Sequence, residues 1–135
     1  MMGPHKNLHV WQKAMELVSL IYKITTQFPQ HEVYGLSSQM RRSAVSIPSN
    51  IAEGYGRTSN ADLIYFLHHS LGSSNELDTQ ILISQNLGYI TEDEFIQMET
   101  LNDEVNRMLN ALIYKRKQQQ STDQEITLKP KTLNL

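Results

Sequence analysis

The sequence predicts an all-α fold, an up-down-up-down antiparallel four-helix bundle with a disordered C-terminal tail. Three observations predict it. Apolar residues recur at intervals of three and four through four successive stretches of the 135-residue chain, which lays one apolar stripe along each of four helices. The connections around Arg57 to Ser59 and Gly88 to Ile90 are only a few residues long, and short connections make consecutive helices antiparallel neighbours. No pair of segments carries the turn chemistry of a hairpin.

Leu8, Trp11, Met15, Val18, Tyr22 and Thr25 mark a first helix, stopped before Phe28-Pro29 because the residue ahead of a proline avoids the helical region. The second runs from Leu36 to about Gly56 on the stripe Met40, Ala44, Ile47, Ile51 and Tyr55. Its Pro48 lacks an N–H and crowds the carbonyl four residues back, which predicts a kink or short break near Ala44 to Pro48. Ser59-Asn60-Ala61-Asp62 has the form of an N-terminal cap, opening a third helix through Leu63, Leu67, Leu71, Ser74, Leu77 and Ile81 that ends at Asn86-Leu87-Gly88. Thr91-Glu92-Asp93-Glu94 is a capping box for a fourth helix, striped by Phe95, Met98, Leu101, Val105, Leu109 and Leu112 and fraying after Lys117. The Gln-rich stretch beyond has no stripe and reads as disordered. Residues 1–7 are then an N-terminal extension, 8–117 the bundle and 118–135 the tail.

Twelve Lys and Arg against fourteen Asp and Glu leave a net charge of −2, so any attraction to polyanions must come from a local patch. The bases bunch at Arg41/Arg42 and at Lys115-Arg116-Lys117, and the acids at Glu92-Asp93-Glu94 and Asp103-Glu104. There is no cysteine, hence no disulfide and no thiolate chemistry. The longest apolar run, Leu63 to Leu67, is far short of the roughly 20 residues that span a bilayer, and the first residues lack a signal peptide's apolar core. Cytoplasm is the expected location.

The familiar catalytic and metal-binding constellations are missing from the sequence. No glutamate precedes a histidine by three positions, as di-metal bundles require, and adjacent His68 and His69 diverge by about 100° around a helix. Gly54-Tyr55-Gly56-Arg57-Thr58-Ser59 lacks the lysine and the preceding strand of a phosphate loop and reads as a turn between helices. Neither a catalytic residue nor a metal or other cofactor is expected. What stands out is the polar set on the second helix. Ser46, Pro48, Asn50, Glu53 and Gly54 form a structural polar motif, in which Glu53 is the one carboxylate and suits an i,i+4 pair with Arg57 or a contact to Asn50 or Arg42. Small residues around Gly72, with Ser70, Ser73 and Ser74, would let another helix approach closely.

The strings Val10-Trp11-Gln12-Lys13-Ala14-Met15-Glu16-Leu17, Tyr34-Gly35-Leu36, Gln39-Met40-Arg41-Arg42 and Ser46-Ile47-Pro48-Ser49-Asn50-Ile51-Ala52-Glu53-Gly54 closely resemble the bacterial family of the S23 ribosomal protein, or 23S rRNA intervening-sequence protein. Phe66-Leu67, Gly72-Ser73, Glu76-Leu77 and Leu87-Gly88-Tyr89 extend the resemblance from about Asn7 to Tyr114. It implies a four-helix bundle that assembles as a ring-shaped homopentamer. The related accessory variability protein of diversity-generating retroelements is a basic pentamer that works with a reverse transcriptase, and the acidic balance here departs from it. The expected role is a non-enzymatic, self-assembling scaffold recruiting a protein or ribonucleoprotein partner. The alternative is direct RNA binding through Arg41, Arg42 and Arg57, unless these arginines pair with Glu53 or with acids of a neighbouring subunit.

Overall fold

The computed structural model describes residues 3–133, with side chains described through residue 125. Four helices follow one another: α1 (His9–Thr25), α2 (Leu36–Tyr55), α3 (Asn60–Asn86) and α4 (Glu92–Leu133). Single 3-10 turns at Pro4–Asn7 and Gln30–Glu32 precede α1 and α2. Each helix packs on its neighbours in the cyclic order α1–α2–α3–α4–α1, and across the diagonal Arg116 of α4 reaches the Tyr55 hydroxyl of α2 at 3.4 Å. That adjacency makes an up-down-up-down bundle with a single core.

The stripes read from the sequence meet at the centre. Leu17 and Ile21 of α1, Met40, Ile47 and Ile51 of α2, Leu67, Leu77 and Ile81 of α3, and Met98, Val105 and Leu109 of α4 are all fully buried. Local chemistry sets where each helix begins and ends. The Ser59 hydroxyl accepts the Asp62 N–H at 3.1 Å, and Gly88 sits in the left-handed region at φ 73° after α3. Thr91 and Glu94 exchange both bonds of the capping box, at 2.9 and 3.1 Å. At α2 the cap comes from farther away. Glu32 accepts the Leu36 N–H through one carboxylate oxygen and the Tyr89 hydroxyl, at 2.8 Å, through the other, so the α1–α2 and α3–α4 connections are tied together at one end of the bundle. These contacts, the Tyr89 hydroxyl first and the Leu36 amide second, hold the Glu32 carboxyl below its ordinary range.

One sequence expectation needs correction. Pro48 does not break α2, whose helical assignment is continuous from Leu36 to Tyr55. Pro48 is buried, and beside it the Ser70 hydroxyl of α3 donates to the Ile47 carbonyl at 2.8 Å, so packing against α3 carries the helix past the Ala44 carbonyl that proline leaves without its rung. Beyond Lys117, where the sequence reads as a disordered tail over 118–135, α4 keeps its helical form to Leu133. The composition that suggests a tail shows in the packing: the last buried residue of α4 among those described is Ile113, and the side-chain hydrogen bonds of Gln118 and Thr122 stay within their own helix. The Asn60 amide donates to the Arg116 carbonyl, which marks the level at which α4 passes the start of α3. Among the described residues no helix is long and apolar enough to cross a membrane.

Candidate functional site

The outer edge between α1 and α2 carries two of the three candidate arginines. The Arg41 Nε donates to the Thr25 hydroxyl at 2.9 Å, its Nη2 reaches the Thr26 hydroxyl at 3.4 Å, and its guanidinium lies 4.8 Å from the Tyr22 ring centroid. Two hydroxyls and a π face thus fix this cation without neutralising it. Arg42 is exposed and has neither a hydrogen bond nor an ion pair among the described residues. Together with Tyr22, Val33, Ser38 and Val45 they line a groove of about 320 Å³ that contains no acidic side chain.

Arg57 belongs elsewhere. It lies past the other end of α2, roughly 20 Å away along the helix axis, where its Nη2 pairs with Glu53 at 2.6 Å and its guanidinium covers the Phe66 ring at 5.0 Å. The structure therefore brings Arg41 and Arg42 together and leaves Arg57 out of their patch. Glu53 takes the i,i+4 role rather than that of a buried acceptor, with its side chain 54% exposed.

The rest of the polar motif faces α3. Asn50 donates to the Ser46 carbonyl and hydroxyl at 2.8 and 2.9 Å, and the Ser73 hydroxyl bonds the Ser46 hydroxyl at 2.9 Å. Gly54 is buried where α2 and α3 come closest: a Cβ there would stand 3.0 Å from both the Leu63 Cδ1 and the Phe66 Cβ. Small side chains with mutual hydrogen bonds allow this approach. The motif is a packing seam.

The opposite edge, between α3 and α4, holds a feature that stripe reading missed. Fully buried Ser74 donates to the Asn102 side chain at 2.9 Å, while the Asn102 amide returns a bond to the Ser74 carbonyl at 3.1 Å and Asn106 joins them. One turn along, Asp78 of α3 hydrogen-bonds Glu99 of α4, and Asp103 lies close enough to add its field. Burial first, then the Asp78 hydrogen bond and the two neighbouring negative charges, push the Glu99 carboxyl up to about 7. One Glu99 oxygen is buried without a hydrogen-bond partner, and Arg107, the cation beside the groove, is taken by Asp103 at 2.8 Å. These groups line an open groove of about 480 Å³ with Asn75 and Thr100. Glu99 and Asp103 stand four apart on one helix, a like-charge spacing visible in the sequence. Asp78 comes from another helix and was not.

The 23S rRNA-intervening sequence protein family matches over residues 6–111. No curated protein matches the chain. Among solved structures, a protein of unknown function from the S23 ribosomal protein family of Bacteroides thetaiotaomicron superposes with a TM-score of 0.70 at 28% identity, covering 77% of this chain and 97% of that one. The family match takes in the core of all four helices, both edge grooves and the α2–α3 seam, and the chain belongs to the 23S rRNA-intervening sequence protein family.

Proposed function

We propose that the chain is a non-enzymatic scaffold that self-assembles, as a homopentamer, and recruits a protein or ribonucleoprotein partner. The supporting observation is the apolar surface its own core leaves outside. Tyr22, Val33 and Val45 around the arginine groove, Tyr65 on α3, and Leu82, Ile83, Leu87 and Ile96 toward the α3–α4 turn are 38–59% exposed. Single exposed apolar side chains are ordinary, but grouped ones on a bundle edge suit a protein contact. Sedimentation equilibrium across micromolar concentrations tests the assembly. A mass of one chain, 15.5 kDa, throughout would reject it.

Direct RNA binding is the second reading, favoured by Arg41 and Arg42 lying side by side in a groove with no acid. Arg57 adds less, because its charge is already paired with Glu53. Titrating labelled single-stranded and structured RNA at low and moderate salt tests it, since phosphate contacts weaken steeply as salt rises. No association at low salt leaves the scaffold. A pull-down from native cells, with and without nuclease, then separates protein-borne from RNA-borne partners.

A further inference from the structure

We infer that the α1–α2 groove of one copy receives the α3–α4 groove of the next, with Arg42 entering the acidic groove beside Asp78 and Glu99. The inference rests on the self-assembly reading and names its interface. Charge complementarity carries it: one groove is lined by two guanidiniums and no acid, and the other by Asp78, Glu99 and Asp103 with a single cation already engaged by Asp103. A buried Glu99 oxygen without a partner lies in the receiving groove, and the Arg42 guanidinium brings donors without an acceptor of its own.

The two edges also lie at one level of the bundle. Across the α2–α3 seam the Ser84 hydroxyl meets the Met40 sulfur and Ser73 meets Ser46, so Arg41 and Arg42 stand level with the part of α3 that carries Asp78. In the cyclic order α1–α2–α3–α4 the two grooves occupy opposite edges. Complementary patches on different edges at equal height give a head-to-tail contact between parallel copies, which closes into a ring when each copy also turns by a fixed angle. A two-fold contact would instead set Arg42 against Arg42 or Asp78 against Asp78, which like charges oppose.

The full-length chain tests this by sedimentation equilibrium, with circular dichroism confirming the fold of each variant. Wild type is expected to assemble. Arg42→Glu, an exposed change, should raise the concentration of half-dissociation at least about tenfold, as should Asp78→Lys, whereas Arg42→Glu/Asp78→Lys in one chain should restore assembly. Glu99→Gln covers the case in which Asp78→Lys disturbs the groove itself: it removes the charge, keeps the shape and should weaken assembly in the same direction. If wild type assembles and Arg42→Glu does so equally well, this interface is overturned while the scaffold reading stands. If wild type remains a monomer, both fall. A monomer that binds RNA at low salt, and loses it in Arg42→Glu, assigns the basic groove to nucleic acid instead.

Discussion

Replacing glycine by alanine at two helical positions should change stability in opposite directions. A helical glycine costs about 0.5–1 kcal/mol relative to alanine, because its backbone loses more freedom on folding. Gly72, on the exposed side of α3, has nothing within 4 Å of an added Cβ, so Gly72→Ala should recover that amount in the protomer. At Gly54 the same Cβ meets the Leu63 Cδ1 and the Phe66 Cβ at 3.0 Å and the Leu63 carbonyl oxygen at 3.4 Å. Carbon pairs prefer about 3.5–4.0 Å, and the Phe66 Cβ and Leu63 oxygen belong to the frame of α3 rather than to a flexible tip. Overpacking of this kind costs about 1–3 kcal/mol, which exceeds the propensity gain and leaves Gly54→Ala less stable by about 1 kcal/mol. For a domain of this size that is a fall of about 3–5 °C, against a rise of about 2–4 °C for Gly72→Ala. Thermal melts followed by helical circular dichroism, at concentrations below assembly, read both values. A Gly54→Ala protein melting as high as Gly72→Ala would refute the close α2–α3 approach on which the reading of the motif rests.

Asn50→Ala should lower stability by about 1 kcal/mol by removing the bonds that tie Asn50 to Ser46, whereas Glu53→Ala should change it by less than about 0.5 kcal/mol because its pair with Arg57 is exposed; paired urea titrations compare them. Asn102→Ala should cost about 1–3 kcal/mol, since it strands polar groups of buried Ser74, and denaturant midpoints measure it. Glu99, facing Asp78, Asp103 and the Asp103-paired Arg107, has a carboxyl raised in the folded state from 4.5 to about 7, so the native state holds an extra proton between those values and stability falls as pH rises through that window. Glu99→Gln should remove that slope, melting above wild type at pH 7.5 and level with it near pH 4.5, and identical profiles would show that the carboxylates do not crowd. Glu32, whose carboxyl is lowered, acts in the other window: its contribution is present above its unfolded value and is lost below it, so Glu32→Gln should flatten the acid limb of the same profile.

The parts of the fold legible in the sequence are those whose chemistry is local. Thr91 and Glu94 lie three apart on one turn, so their spacing alone foretold the reciprocal bonds that the structure shows. Gly88 was legible for the same reason, as a left-handed residue closing α3. The break expected at Pro48 came from a rule for the helix alone, and the buried seam with α3 outweighs it. The pairings that make the candidate site were hidden because they need register. Arg41 and Arg42 were legible as neighbours, but the hydroxyls of Thr25 and Thr26 that hold Arg41 come from another helix. Asn102 reads as a solvent-facing residue until Ser74 is placed opposite it, and Asp78 reads as an ordinary surface acid until α4 brings Glu99 beside it. In a bundle, an apolar stripe says which face points inward, and the helix ends with their connections then decide which polar residues of two neighbours meet at an edge. Charge complementarity between edges arises only at that second step, so a chain with a net charge of −2 can carry opposed basic and acidic grooves that no composition count reveals.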